Sequence, residues 1–160
     1  MPTAIYPGTF DPITNGHIDI AIRASNIFTK VIAVVSENPQ KMCLFSPDER
    51  YDLVHKSLEN IKNVEVVRHS GLIIDCIDKF NATVIIRGLR ALSDFDYEFQ
   101  MAFTNRQLNS KADTVFLMPS ARYTYLSSTM IRQIAQLGGD VKEFLPDCVR
   151  NKLIEKFKGK

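Results

Sequence analysis

Three stretches of this chain hold residues whose types and spacing could do chemistry. The first is Pro7-Gly8-Thr9-Phe10-Asp11-Pro12-Ile13-Thr14-Asn15-Gly16-His17, where a glycine permits tight turning and Thr14 or Asn15 can cap a helix. The second is Arg87-Gly88-Leu89-Arg90, and the third runs from Ser120 to Arg132. A helix start presents free N–H groups and a positive dipole end, so the first stretch is suited to an anion. Two arginines straddling Gly88-Leu89 straight after an apolar strand are poorly explained as surface decoration. The chain has neither Gly-x-x-x-x-Gly-Lys-Ser/Thr nor Gly-x-Gly-x-x-Gly, so the usual phosphate-loop and dinucleotide signatures are missing. It also lacks a Gly-x-Ser-x-Gly elbow and a His-Glu-x-x-His pair, which argues against a serine or zinc hydrolase.

The elements that must position these residues follow from periodicity. Val- and Ile-rich runs at Ala4–Tyr6, Val31–Val35, Val64–Arg68, Thr83–Ile86 and Thr114–Leu117 read as strands covered on both faces. Helical patterns lie near Asn15–Phe28, Pro47–Asn60, Leu72–Phe80, Asp94–Leu108, Ser128–Leu137 and Pro146–Phe157. Ser46-Pro47-Asp48-Glu49 combines a cap serine, a first-turn proline and a glutamate three after the cap. Ser93-Asp94-Phe95-Asp96 offers a weaker cap, and Gly138-Gly139 should end the fifth helix. Strands alternating with helices predict an α/β fold: a Rossmann-like, doubly wound, five-stranded parallel sheet with helices on both faces. Such sheets bind ligands at the carboxyl ends of their strands where strand order reverses. On the first helix, Ile20, Ala24, Ile27 and Phe28 form the expected buried stripe, and His17 stands one turn earlier on it, looking into the crevice. The structural alternative is a helix-start histidine satisfied by a nearby carbonyl.

Length and composition bound the rest. At 160 residues the chain suits one domain, residues 1–160, burying about 70% of its unfolded surface. Hydrophobic residues make up 45% and charged residues 24%, a globular profile rather than a disordered one. Net charge is +2, and the mixed charges argue against bulk binding to nucleic acid or membrane. The longest apolar run, Val31 to Val35, is too short to span a bilayer, and the N-terminus carries no secretory pattern. Cys43, Cys76 and Cys148 are odd in number with no metal-binding spacing, so reduced core cysteines in a cytoplasmic protein are expected.

Thr14-Asn15-Gly16-His17 resembles the Thr/His-x-Gly-His signature of the nucleotidyltransferase superfamily. Leu126-Ser127-Ser128-Thr129-Met130-Ile131-Arg132 resembles its Ile-Ser-Ser-Thr-x-x-Arg signature, with Leu126 in place of the first Ile. The longer strings from Tyr6 to His17 and from Ile86 to Arg90, with the Asp94–Asn105 helix, are similar over essentially the whole chain to the bacterial phosphopantetheine adenylyltransferases. That resemblance implies adenylyl transfer from ATP to 4′-phosphopantetheine, giving dephospho-coenzyme A and pyrophosphate. The acceptor's own ionised phosphate would be the nucleophile, so positioning and charge stabilisation could carry the rate.

The resemblance implies that His17 stabilises the transition state at the α-phosphate. It carries Thr9, Lys41, Ile73 and Arg87 over to the phosphopantetheine side, with Ile73 opening the third helix where Leu or Met is more usual. It carries Thr9, Phe10, His17, Gly88, Leu89, Arg90, Glu98, Tyr123, Thr124, Tyr125, Leu126, Ser127, Ser128 and Thr129 over to the ATP side. Lys41 alone would read as a solvated loop lysine, and Ser127-Ser128-Thr129 as a plain cap for the helix that follows. Met101 and Asn105 share the Glu98 face of their helix, and Met101 could equally be core. Magnesium is implied as a partner of the ATP phosphates, without a protein cage. A homohexamer is implied too, with Phe95, Tyr97 and Phe99 serving core or contacts. The alternatives are a related transferase acting on nicotinate mononucleotide or a sugar- or glycerol-phosphate, and a non-catalytic nucleotide-binding module.

Overall fold

A computed structural model describes residues 2–38 and 41–158. Five parallel strands, β1 (Thr3–Gly8), β2 (Lys30–Glu37), β3 (Val64–Ser70), β4 (Val84–Gly88) and β5 (Asp113–Leu117), lie in the order β3-β2-β1-β4-β5. The order reverses between β1 and β4, so the crevice expected of a doubly wound sheet opens at their carboxyl ends. The helices are α1 (Asn15–Ile27), α2 (Pro47–Leu58), α3 (Asp75–Lys79), α4 (Leu92–Leu108), α5 (Ser128–Gln136) and α6 (Asp147–Lys158). Ala4, Tyr6, Ala33, Val35 and Ile86 face a core shared with α1, α2, α5 and α6, while Ile5, Ile32, Val34 and Ile85 face Cys76 and Ile77 of α3. The period-two alternation of strand side chains thus feeds two cores from the same strands.

Local rules explain most element ends. Ser46 caps α2, with Glu49 N–H donating to its Oγ (3.2 Å) and Ser46 N–H donating to the Glu49 carboxylate (2.8 Å). At the end of α5, Gly138 takes φ +79°. Its N–H donates to Ala135 O (3.1 Å) and the Gly139 N–H to Ile134 O (2.9 Å), closing a Schellman turn.

Four expectations need correction. α4 begins at Leu92, capped by extended Ala91 with no side-chain bond, so Ser93 lies inside the first turn and is not its cap, while Asp94 pairs with Arg90. The third helix is short, since the chain from Leu72 winds through i→i+3 bonds before Asp75, and Ile73 precedes the helix rather than opening it. Ile27 is 45% exposed, so the α1 stripe is Ile20, Ala21 and Ala24, with Phe28 packed at the helix end. Cys76 is a core cysteine, but Cys43 and Cys148 are half-buried; all three are free thiols.

Candidate active site

The crevice is a cavity of about 1000 Å³ that opens where β1 and β4 end, large enough for two substrate-sized ligands. Thr14 caps α1, and its Oγ1 accepts from His17 N–H (3.3 Å). The reciprocal bond of this capping box is the informative one. Thr14 N–H donates to His17 Nδ1 (3.0 Å), so the imidazole occupies the place usually filled by Glu or Gln. A backbone N–H can only donate, so Nδ1 is unprotonated and the proton of the neutral ring sits on Nε2. Burial, followed by the fields of Arg90 and Arg87, lowers the His17 pKa from 6.5 to about 4. At neutral pH His17 is a neutral ring with one N–H to give.

The ring is also held sideways. Phe10 meets His17 edge-on (5.2 Å between centroids) and Tyr6 edge-on (5.6 Å). A Cβ on Gly8 would lie 2.7 Å from the buried Phe10 ring, so only glycine lets that ring fold beneath the loop. Phe10 itself takes φ 51° and is 2% exposed, so what it can offer a ligand is its backbone.

The second motif is tied to the first. Arg132 donates to Asp11 O and pairs with the Asp11 carboxylate (3.3 Å), which also accepts Leu44 N–H (2.8 Å) and Phe45 N–H (2.9 Å). Ser128 Oγ donates to Pro12 O (2.8 Å), and Ser127 Oγ accepts Met130 N–H at the start of α5 (3.1 Å). The N–H groups of Ser128 and Thr129 therefore face no intrahelical acceptor. Arg90 bonds Leu126 O (2.7 Å) and Asp94, joining the loop after β4 to the same region.

Arg87 is held by three bonds. Its Nε and Nη2 each meet a Glu98 carboxylate oxygen at 2.7 Å, and Nη1 donates to Pro7 O (2.9 Å). Glu98 is 8% exposed, a buried carboxylate whose two oxygens both serve Arg87. Of the guanidinium's five donors, two remain for a ligand. Across the loop, Lys41 Nζ stands 3.5 Å from Thr9 Oγ1 and pairs with no carboxylate among the described residues.

Thr9, Phe10, His17, Lys41, Ile73, Arg87, Gly88, Arg90, Glu98, Tyr123 and Leu126 to Thr129 all line this one cavity. Leu89, Thr124 and Tyr125 do not: Leu89 N–H is spent on Leu117 O (3.0 Å), Thr124 Oγ1 on Ala121 O (2.8 Å), and Tyr125 packs edge-on to Phe144. Met101 and Asn105 do line it, as do Asp11 and Arg132, which sequence reasoning did not single out as site residues. A family model described as Cytidylyltransferase-like matches residues 5–134. The chain is 51% identical over 160 residues to the phosphopantetheine adenylyltransferase of Dictyoglomus turgidum, covering all of both chains. It is 52% identical over 158 residues to that of Caldanaerobacter subterraneus, covering 99% of each. It is 52% identical to that of Methylococcus capsulatus, over 98% of this chain and 97% of the relative. The chain belongs to the phosphopantetheine adenylyltransferase family. Nothing local in the sequence marks Asp11, because the N–H groups that its carboxylate accepts, those of Leu44 and Phe45, come from the distant loop before α2.

No group of three or more His, Cys, Asp or Glu among the described residues is arranged to hold a metal ion. Each carboxylate lining the cavity has a cation already: Asp11 has Arg132, Glu37 has Arg68, Asp94 has Arg90 and Glu98 has Arg87. No helix among the described residues is long and apolar enough to cross a membrane.

Proposed function

We infer that this chain reversibly transfers the adenylyl group of ATP to 4′-phosphopantetheine, giving dephospho-coenzyme A and pyrophosphate, and that residues 1–160 act as one nucleotidyltransferase domain. The observation that carries this reading is His17, its Nδ1 taken by the Thr14 N–H and its ring in the same cavity as Lys41 and Arg87. Two anions must be brought together, and the cavity supplies cations and helix N–H groups for both. Lys41 and the two remaining Arg87 donors hold the acceptor phosphate, with Thr9 between the substrates and Ile73 against the pantetheine arm. The Phe10 backbone, Gly88, Arg90, Tyr123 and Leu126 to Thr129 hold the nucleotide. Glu98 acts by fixing Arg87. Leu89, Thr124 and Tyr125 shape this wall from outside the cavity.

The acceptor phosphate attacks the α-phosphorus in line, and pyrophosphate leaves from the opposite side. His17 Nε2–H donates to a non-bridging α-phosphate oxygen, and this bond strengthens as negative charge gathers there. His17 takes no proton and forms no bond to phosphorus, since Nδ1 is held by Thr14 N–H and Nε2 has no free lone pair. With every lining carboxylate already paired, the cavity suits a magnesium ion held by the ATP phosphates themselves, where it would neutralise charge on the leaving pyrophosphate.

The assembly proposed is a homohexamer. Its support is α4, where Phe95 stacks on Phe99 (5.3 Å between centroids) and Phe99 meets Phe103 edge-on (4.7 Å) while the three rings remain 38%, 44% and 56% exposed. Free thiols at Cys43, Cys76 and Cys148 agree with a cytoplasmic setting. Pyrophosphate release measured with ATP, magnesium and a panel of acceptors tests the reading. Turnover should appear with 4′-phosphopantetheine. Preference for nicotinate mononucleotide or glycerol phosphate, or tight ATP binding with no release at all, would replace it.

A further inference from the structure

Arg50 is an arginine where the helix pattern asks for an apolar residue. It shares the buried face of α2 with Leu53, Val54 and Leu58 and is 3% exposed. Among the described residues it has no carboxylate partner, and its Nε is buried with no hydrogen-bond acceptor. A buried charge left without a counter-ion is costly, and a hydrophobic residue of similar volume commonly serves stability as well or better. Stability alone therefore does not account for Arg50.

Its bonds point elsewhere. Nη1 donates to Thr9 O (2.7 Å) and to Ser36 O (2.9 Å), bridging the loop after β1 to the end of β2. Beside it, Ser36 Oγ donates to Gly8 O (2.9 Å), so the successive carbonyls of Gly8, which ends β1, and Thr9 are both tied to the end of β2. The fastened residues lead into Phe10 at φ 51°, a conformation that the surroundings must enforce. Thr9 Oγ1 in turn faces Lys41 Nζ.

We propose that Arg50 is a positioning residue for the adenylyl transfer: it fixes the Thr9 carbonyl from below so that Thr9 and Lys41 meet the acceptor phosphate in line with the α-phosphorus. This rests on the functional reading above. Arg50 touches no substrate, so its loss should act on alignment more than on nucleotide binding. Alignment errors of about 1 Å can cost about 100-fold in rate.

The experiment is a double-mutant cycle on the full chain, with Arg50→Met, Arg50→Lys, Thr9→Ala and the two combinations. kcat, both KM values and thermal midpoints are measured together. Arg50→Met should lower kcat by at least about tenfold with KM for ATP within about threefold. Arg50→Lys, which keeps a donor for both carbonyls, should recover most of the loss. In the Thr9→Ala background the Arg50 substitutions should cost much less, because the Thr9 hydroxyl that faces Lys41 and the acceptor phosphate is gone although the backbone carbonyl remains. A folded Arg50→Met enzyme with unchanged kcat, or costs that simply add, would overturn the proposal. If Arg50→Met does not fold, the Arg50→Lys cycle decides by the same criterion of non-additivity. Failure of both to fold would assign Arg50 to stability and overturn it too. Wild-type protein that forms no dephospho-coenzyme A removes the functional reading itself, whereas wild-type turnover with indifferent Arg50 variants removes this inference alone.

Discussion

Replacing His17 by Ala removes two separable things. One is the Nε2–H donor aimed at developing charge, and the other is the Nδ1 acceptor that completes the α1 capping box. Losing a single preorganised donor of this kind costs about 10²–10³ in kcat, or roughly 2.7–4 kcal/mol of transition-state stabilisation. Losing a cap costs about 0.5–2 kcal/mol of stability, which a domain stable by about 5–15 kcal/mol survives. The variant should therefore fold and bind ATP within about tenfold of wild type, since one ordinary hydrogen bond is worth about 0.5–1.5 kcal/mol net. Its single-turnover rate should fall by the full two to three orders. His17→Gln separates the two effects, because glutamine at the same helical position accepts the Thr14 N–H and should restore stability. The assay pairs rapid-quench measurement of dephospho-coenzyme A with equilibrium ATP binding on both folded variants. An unchanged chemical step with lost ATP affinity would make His17 a binding residue and refute the reasoning.

Further expectations follow from the same geometry. Lys41→Ala and Arg87→Ala should each weaken 4′-phosphopantetheine binding by about 1.5–3 kcal/mol and ATP binding far less; wild-type affinities for the acceptor by calorimetry would break that assignment. Because the folded-state pKa of His17, about 4, lies below its ordinary 6.5, the unfolded chain binds more protons between those values. The stability this contributes is complete above pH 6.5 and is lost as pH falls towards 4. Between pH 7 and pH 4.5 wild type should accordingly lose about 2–3 kcal/mol more than His17→Gln in denaturant titrations, and parallel profiles would contradict the shift. Replacing Cys43, Cys76 and Cys148 together by Ala should preserve turnover, with a stability loss traceable to buried Cys76; abolished chemistry in a folded variant that binds both substrates would count against the thiols being bystanders.

The sheet and the place of the crevice were legible because each depends on local pattern: apolar runs of strand length, helices between them, and side-chain caps at the starts of α1, α2 and α5. His17 could be placed at the crevice from its spacing to Ile20. Its tautomer could not, since that depends on how closely the Thr14 N–H approaches the ring. Ser93 misled because an acidic first turn reads like a cap, whereas Asp94 was claimed by an arginine four residues earlier. The aromatic stripe of α4 left core and contact open, because a helix apolar on several sides has no single inward face. Arg50 left a visible trace, a charge at i of an i, i+3, i+4, i+8 apolar stripe. Its carbonyl partners, Thr9 in the loop after β1 and Ser36 in β2, are distant in sequence and could not be read from spacing.

The proposed transfer is direct, between two aligned substrates, with no bond from the protein to the adenylyl group. It is tested most directly by the stereochemistry at the transferred phosphorus. One diastereomer of an ATP analogue with sulfur on the α-phosphate, 4′-phosphopantetheine and magnesium would be turned over, and the configuration of the dephospho-coenzyme A analogue determined by phosphorus NMR. A single in-line attack by the acceptor phosphate, with His17 protonated on Nε2 and unable to act as nucleophile, gives inversion. Retention would mean two displacements through an adenylylated side chain and would contradict it.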